Sequence, residues 1–294
     1  MKAWRLKAKT ADTIAGYVFL LPYLLFLFTV VLYPLIQGLY MSFHEWGIFG
    51  APKYIGVKNY VTLWNDGTFW DSLWHTVYFV VLSTPPLVIL GLLFATGLNK
   101  KFRGRSMARG MIFFPYLLTV SIVGAIWRWM LQRNYGLVNY YLGKLGLSAM
   151  GWLTEASTAM PAVALATIWW TVGFNVIVFL AALQDIPEQL YEAAKIDGAD
   201  GIKSFFKITI PMLRPTMFFV IIMQIISSFQ IFGQVYVMTG GGPYGKTRTM
   251  VQYLYEQGFR YFRMGYASAM AYVLFAIMLI LTLIQWKIMG SKEV

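Results

Sequence analysis

One segment of the chain has the spacing of a nucleotide-binding loop. Residues 240–247, GGGPYGKT, fit the pattern G-x4-G-K-S/T. In nucleotide-binding proteins such a loop follows a buried strand and precedes a helix, so that its backbone amides converge on phosphate. Here an apolar run with the length of a helix precedes the loop, and Pro243 removes one of the amides. We therefore predict a tight turn at this position, and no cofactor bound by this chain.

Residues for catalysis or metal binding are scarce. The chain contains two histidines, His44 and His75, which are 31 positions apart, and it contains no cysteine. A membrane enzyme would need a nucleophile, a set of metal ligands or an acid–base pair, and no such group is evident. His75 lies in an apolar run and is most simply a hydrogen-bonded packing residue. We therefore predict neither a catalytic site nor a metal site.

Neutral polar residues recur in an otherwise apolar segment near residue 230. If this segment is one helix, four of them share a face of about 120° and a fifth borders it; in chain order the five are Gln224, Ser227, Ser228, Gln230 and Gln234. Amides and hydroxyls beside aromatic rings suit a sugar, and the lack of ionisable groups argues against an ion or proton carrier. The preceding apolar segment adds weaker candidates, namely Trp169, Trp170, Thr171 and Asn175. The alternative is that these side chains only hold helices together.

A polar segment between two apolar runs has a fuller motif. Glu192–Pro211 reads EAAKIDGADGIKSFFKITIP and fits E-A-A-x3-G-x9-I-x-I/L-P at every fixed position. We predict a short helix over Leu190–Ile196, ended by Gly198 in a positive-φ conformation, and a second helix capped by Asp200. Its small and charged residues could dock into a groove of another protein; they are Glu192, Ala193, Ala194, Asp197, Gly198 and Ala199. The alternative is an ordinary solvated loop.

The elements that carry these residues are predicted to be membrane-spanning helices. The chain of 294 residues is 59% hydrophobic and only 12% charged, about half the charged fraction of ordinary soluble domains. Six charge-free runs are each long enough to cross a bilayer as a helix, and the predicted helices are Ile14–Leu39, Ser72–Leu98, Met107–Met130, Met160–Leu183, Thr216–Met238 and Tyr266–Met289. Asp71 or Ser72 is the expected cap of the second helix. The fold class is thus all-α, with one six-helix domain over residues 14–289, a polar loop over 185–214, and tails at 1–13 and 290–294.

The charge distribution gives an orientation. A net charge of +12 would suggest nucleic acid for a soluble protein, but the positive-inside rule accounts for it here. With both termini in the cytoplasm, 15 of the 24 Lys and Arg residues lie in cytoplasmic segments. The first apolar run is longer than the core of a signal peptide and lacks a cleavage site, so we predict an uncleaved first helix.

Several motifs together resemble those of one family. Residues 20–43 (LLPYLLFLFTVVLYPLIQGLYMSF), 54–63 (YIGVKNYVTL), 182–187 (ALQDIP) and 239–243 (TGGGP) accompany the Glu192–Pro211 motif. The chain thus resembles a permease subunit of the binding-protein-dependent ABC importers that take up carbohydrates. The resemblance implies a type I permease fold in the cytoplasmic membrane and pairing with a second permease. It also implies two ATPase subunits, which bind the ATP and Mg²⁺ and dock on the 192–211 coupling loop, and an extracytoplasmic solute-binding protein.

Two other readings stay open at this point. The same importer class also carries polyols and glycerol phosphate esters. A stand-alone channel or secondary carrier is a rival, although such a protein would be expected to show buried ionisable groups or inverted repeats.

Overall fold

The computed structural model describes residues 2–100 and 102–290. Contacts within the chain separate into two compact units. The first unit comprises the residues up to 65 together with 254–273, and the second comprises 66–253 together with the residues from 274 onward. The predicted C-terminal tail, 290–294, lies outside the described residues except for Gly290, which ends the last helix.

The first unit begins with a long helical path. It consists of α1 (Lys2–Phe26), a π-helical turn (Leu27–Leu32) and α2 (Tyr33–Ser42), so helical structure starts at Lys2 rather than at Ile14. The π turn ends two residues before Pro34, which has no N–H to continue the regular pattern.

A small motif of two strands and one helix follows the first span. Strands β1 (His44–Glu45) and β2 (Lys53–Tyr54) pair antiparallel, with Glu45 opposite Lys53. Helix α3 (Lys58–Trp64) comes next. The π-helical turn Glu256–Arg260 and the first part of α15 (Met264–Gly290) complete this unit.

Two long helices form the centre of the second unit. Helix α4 (Gly67–Asn99) and helix α8 (Ala156–Gln184) pack along each other, and Leu87, Val176 and Phe179 are buried in the core between them. The side chain of Asp66 accepts from the backbone N–H groups of Thr68 and Phe69 and caps α4. The predicted cap at Asp71 or Ser72 is therefore wrong, because the helix starts one turn earlier.

Two predicted helices are broken. The third span consists of α5 (Arg105–Phe113), a 3-10 turn (Phe114–Leu117) and α6 (Val120–Met130), with a bend of 97°. Pro115 is the second residue of the 3-10 turn, and Leu118 and Thr119 are extended, so one continuous helix over Met107–Met130 is excluded. A short helix, α7 (Leu137–Lys144), follows.

The polar loop and the fifth span are built from short pieces. They are, in order, α9 (Glu188–Ile196), α10 (Gly201–Ser204), a π turn (Phe205–Thr209), α11 (Ile210–Met212), α12 (Arg214–Phe229) and α13 (Gly233–Met238). The segment Gly201–Met212 meets α12 at 67°. Because residues 230–232 interrupt the helix, the predicted single helix Thr216–Met238 is wrong. Helix α14 (Met250–Tyr255) follows the glycine turn.

The number of spans agrees with the prediction. In the described part of the chain, four helices are long and apolar enough to cross a membrane, and the number is six when each of the two bent pairs is counted as one span.

Candidate functional site

A cavity of about 290 Å³ opens inside the second unit, among α4, α8, α12, α13 and the 3-10 turn of the third span. Its wall combines aromatic rings with neutral amides and hydroxyls. Four of the predicted pathway residues line it, namely Gln224, Ser227, Ser228 and Gln234. The other lining residues are Phe79, Leu87, Tyr116, Thr167, Trp170, Thr171, Phe174, Met223 and Ile231.

The predicted polar residues divide by their hydrogen bonds. Ser228 lies within hydrogen-bonding distance of Ser83 and Thr84 on α4, at 3.1 and 3.4 Å between the hydroxyl oxygens. Ser227 and Gln234 make no side-chain hydrogen bond with any described residue, and both face the cavity. Ser227 and Gln234 are therefore the two side chains of this face whose polar groups are all available to a solute.

Asn175 and Gln224 join three helices. Asn175 is fully buried, and its Nδ2 donates to the backbone oxygen of Leu87 at 3.1 Å. Its Oδ1 accepts from Nε2 of Gln224 at 2.8 Å. Helix α4 approaches closely here, since a Cβ on Gly91 would lie 2.7 Å from Cβ of Asn175. Asn175 does not line the cavity, so its contacts agree with the reading in which polar residues hold helices together.

Gln230 lies elsewhere. It is exposed in the break between α12 and α13 and does not line the cavity. The prediction placed Gln230 beside the polar face on the assumption of one continuous helix, but the helix is interrupted at residues 230–232.

The sequence did not point to the aromatic wall opposite Gln224. Tyr116 lies in the 3-10 turn and stacks on Phe174 of α8, with ring centroids 5.5 Å apart. Trp170, a weaker candidate, donates from Nε1 to the backbone oxygen of Leu118 at 3.1 Å. This bond fixes the indole beside the extended residues of the bent span. Pro115 is the only local signal that could have indicated the turn that brings Tyr116 here.

Trp169 has a different role from its neighbour. Its ring meets that of Trp127 at 5.8 Å in an edge arrangement, which is a packing contact between α8 and α6. The side chains of the two adjacent tryptophans therefore lie in different environments: Trp169 packs against α6, and Trp170 lines the cavity.

The 192–211 coupling loop has the predicted local geometry. Helix α9 ends before Gly198, whose φ is +75°. The N–H of Ala199 returns to the carbonyl of Ala194 at 2.8 Å, which satisfies an open carbonyl at the helix end. Asp200 accepts from the backbone N–H of Lys203 at 2.7 Å and caps α10. Two helices thus meet at an elbow fixed by one glycine and one cap.

The elbow is held against the helix that leads back to the fifth span. The hydroxyl groups of Tyr191 and Thr209 lie 2.9 Å apart, and Thr209 is buried. This hydrogen bond connects α9 to the π turn that contains Thr209. A force applied to α9 would therefore be passed to the residues that enter α12.

The outward surface of the coupling loop is more apolar than predicted. Ile196 and Ile202 are 87% and 72% exposed. Ala194 and Ala199 are half-buried, so the predicted face of small residues is only partly outward. The remaining predicted residues are exposed, namely Glu192, Ala193, Asp197 and Gly198.

The glycine-rich segment is a turn between helices. It follows α13 and precedes α14, and Gly240, Gly241 and Gly245 adopt positive φ. Oγ1 of Thr247, which would hold Mg²⁺ in a phosphate loop, is buried and donates to the carbonyl of Gly242 at 2.6 Å. The prediction of a turn is confirmed.

The two histidines are bound to backbone carbonyl groups. Nδ1 of His75 lies 3.2 Å from the carbonyl oxygen of Arg248, and Nδ1 of His44 lies 2.7 Å from that of Tyr40. The hydrogen-bonded packing role predicted for His75 agrees with this contact. Within the described part of the chain, no three His, Cys, Asp or Glu residues gather as metal ligands would.

A family model described as the binding-protein-dependent transport system inner membrane component matches residues 61–287. The chain belongs to this family. The predicted type I permease fold and the assignment as an ABC transporter permease are confirmed, and the protein is a multi-pass membrane transport subunit.

Relatives resemble the permease over nearly its whole length. It is 33% identical to the sulfoquinovosyl glycerol transport system permease protein SmoG of Agrobacterium fabrum, covering 99% of this chain and 95% of SmoG. It is 36% identical to the arabinooligosaccharides transport system permease protein AraP of Bacillus subtilis, covering 94% and 89%.

A solved structure shares the fold. The crystal structure of a bacterial alginate ABC transporter, in complex with an alginate pentasaccharide-bound periplasmic protein, contains a chain that aligns with a TM-score of 0.83. The two chains are 25% identical, and 96% of each is covered.

The three-helix network gives the first prediction for the permease. Asn175→Ala leaves the buried amide of Gln224 without its partner, so we expect a loss of about 1–3 kcal/mol in stability. The double variant Asn175→Leu with Gln224→Leu removes both partners and should recover most of this loss. Thermal unfolding of the purified complex in detergent measures both. If the double variant is as unstable as Asn175→Ala, or less stable, the hydrogen bond does not have this role.

Proposed function

We propose that this permease moves a sugar or oligosaccharide inward across the cytoplasmic membrane as one transmembrane subunit of an ABC importer. The observation that carries the proposal is the cavity, where Ser227 and Gln234 offer unengaged polar groups beside the rings of Tyr116 and Trp170. Sugars present hydroxyl pairs and apolar ring faces, which this wall complements. Relatives named for sulfoquinovosyl glycerol and for arabinooligosaccharides support a carbohydrate substrate.

The cavity wall also bears on the alternative solutes. No described Lys or Arg lines it, and a phosphate ester would be expected to meet a cation. No Asp, Glu or His among the described residues lines it either, which disfavours a stand-alone ion-coupled carrier. A polyol remains compatible with the same neutral groups and is an outcome of the uptake test below.

The mechanism follows from the coupling loop. Two ATPase subunits bind ATP and Mg²⁺, and this chain itself holds no cofactor. Closure of the ATPases pushes on α9 through the exposed Ile196, Glu192 and Asp197. The Tyr191–Thr209 contact passes this movement to the start of α12, which forms one wall of the cavity. Rocking of this permease against a second, partner permease then opens the cavity to one side at a time.

The solute-binding protein supplies the outer step. It delivers the solute when the cavity opens outward, and hydrolysis resets the pair of permeases. The periplasmic protein in the alginate transporter structure supports such a partner. Chemistry on the solute is not required, since only non-covalent contacts change during the cycle.

We infer an orientation in which both termini and the coupling loop lie in the cytoplasm. The excess of Lys and Arg in these segments supports it. Because the chain has no native cysteine, a single Glu192→Cys variant can be labelled selectively. We expect a membrane-impermeant maleimide to label it in inverted vesicles and not in intact cells. Labelling in intact cells alone would reverse the orientation.

Reconstitution tests the function itself. The complex is purified from native membranes with its co-purifying ATPase and solute-binding protein and placed in proteoliposomes. We expect ATP-dependent uptake of one member of a panel of sugars and oligosaccharides, and no uptake without the binding protein. Uptake only of polyols or glycerol phosphate esters would change the substrate class, and ATP-independent uptake would overturn the importer mechanism.

A further inference from the structure

A second cavity, of about 530 Å³, lies in the first compact unit. Its walls are the β1–β2 hairpin, the start of α3 and the residues that lead into α15. We call it the hairpin hollow, and its residues include Trp46, Lys53, Lys58, Phe262 and Arg263. None of these belongs to the translocation cavity or to the coupling loop.

The order of the spans gives the side of the membrane that the hollow faces. The hairpin follows the first span, and the coupling loop follows the fourth. Three crossings separate them along the chain, so they face opposite sides of the membrane. If ATPases dock on the coupling loop, the hollow therefore faces the compartment of the solute-binding protein.

The walls of the hollow are fixed. Nδ2 of Asn59 donates to the carbonyl oxygens of Ser42 and His44, at 2.8 and 3.0 Å, and ties α3 to the end of the first span. The N–H of Gly265 donates to the carbonyl of Trp46 at 3.1 Å. A Cβ on Gly265 would lie 2.0 Å from the carbonyl oxygen of His44, so only glycine permits this approach. The shape is thus present before any partner arrives.

The charge of the hollow is positive. Three cations line it, Lys53, Lys58 and Arg263, against one carboxylate, that of Glu45. Glu45 is the cross-strand neighbour of Lys53, so Lys58 and Arg263 remain as excess charge. Neither forms an ion pair with a carboxylate in the described part of the chain.

The guanidinium of Arg263 is oriented in advance. It lies over the ring of Tyr266 at 5.2 Å, and its Nη1 donates to Oε1 of Gln257 at 3.4 Å. These contacts leave the rest of its planar donor set for a carboxylate, which arginine binds in a bidentate manner.

Large aromatic side chains stand exposed beside these cations. Phe49 is 91% exposed and Phe262 is 46% exposed, both at the hollow. Phe262 has a φ of +57°, a conformation that is uncommon for a bulky residue and that tends to persist at functional positions. Exposed aromatics beside an arginine are typical of the energetic centre of a protein–protein interface.

We propose that the hairpin hollow is a docking point for the solute-binding protein and receives an acidic loop of it. Arg263 and Lys58 bind the carboxylates, and Phe49 and Phe262 pack against the loop. This inference rests on the proposed function, because it requires a binding protein on that side of the membrane. A carboxylated sugar free in solution is the competing occupant.

The test uses charge reversals in the complete complex, held in lipid nanodiscs. Lys58→Glu and Arg263→Glu are compared with the control Lys144→Glu, which makes the same charge change on α7, where the Lys144 ammonium lies over the ring of Tyr140 at 4.7 Å. The co-purifying solute-binding protein is the probe, and its affinity is measured by biolayer interferometry at two salt concentrations. We expect each reversal at the hollow to weaken binding at least about tenfold and to reduce its dependence on salt. The control should bind like the wild type.

A compensating change identifies the occupant. Replacing acidic residues of the binding protein by Lys, one at a time, should restore affinity for Lys58→Glu at one or two positions. Equal affinities for all three permease variants would overturn the proposal while leaving the importer function intact. Binding of a free acidic oligosaccharide to the complex, lost in Arg263→Glu, would also overturn it. Failure of the wild-type complex to bind any solute-binding protein would instead contradict the proposed function.

Discussion

Replacing Gly198 by proline should reduce uptake at least about tenfold without removing the permease from the membrane. Gly198 has a φ of +75°, whereas proline is restricted to about −65°. The substitution also removes the N–H that donates to the carbonyl of Lys195 at 3.2 Å. The elbow between α9 and α10 would therefore open at another angle. Because no atom lies within 4 Å of a Cβ at this position, the effect comes from the backbone and not from a clash.

Gly201→Pro is the matched control. Gly201 is the first residue of α10, where proline is well tolerated, and the preceding Asp200 is already extended. The two variants introduce the same residue three positions apart in the same loop. We expect the ATPase to co-purify with Gly201→Pro and to be lost or reduced with Gly198→Pro, and uptake should follow the same order. Normal uptake by Gly198→Pro would show that the angle of the elbow does not matter for coupling.

The coupling loop was the part of the site that the sequence predicted best. Its geometry depends on local chemistry, since Gly198 ends one helix and Asp200 caps the next, and both roles are set by the residues themselves. The side chains that face outward were predicted less well. Ala194 and Ala199 are half-buried in a loop whose Tyr191 bonds to Thr209, 18 residues further along the chain, a contact that no local pattern indicates.

The cavity was predicted less completely for a related reason. A long charge-free run indicates that a membrane span exists. The same hydrophobic composition is found in straight and in bent spans, so it does not predict where a span bends. The bends at 114–119 and 230–232 bring Tyr116 to the cavity and leave Gln230 outside it. Ser227 and Ser228 lie on the predicted common face because both are inside an unbroken part of α12. Gln234 also lines the cavity, although the continuous helix used to place it does not exist.

Filling the cavity should abolish uptake. Ser227 lies at its wall, makes no side-chain hydrogen bond within the described part of the chain, and borders a space of only about 290 Å³. Ser227→Trp would place an indole into this space and exclude the solute, and it would also remove one of the two unengaged polar groups. We expect uptake in proteoliposomes to fall at least about tenfold, while the ATPase still co-purifies.

Gln230→Trp provides the comparison that makes this result specific. It adds an indole to the same stretch of chain, but at an exposed position that does not line the cavity. Uptake by this variant should stay within about threefold of the wild type, since a surface substitution away from such features usually changes little. If both variants block uptake, a large side chain anywhere near residue 230 disturbs the permease, and the result does not show that the solute passes through the cavity. If Ser227→Trp transports normally, the solute passes elsewhere, and the hydrogen bonds of Gln224 and Ser228 serve to hold the helices together.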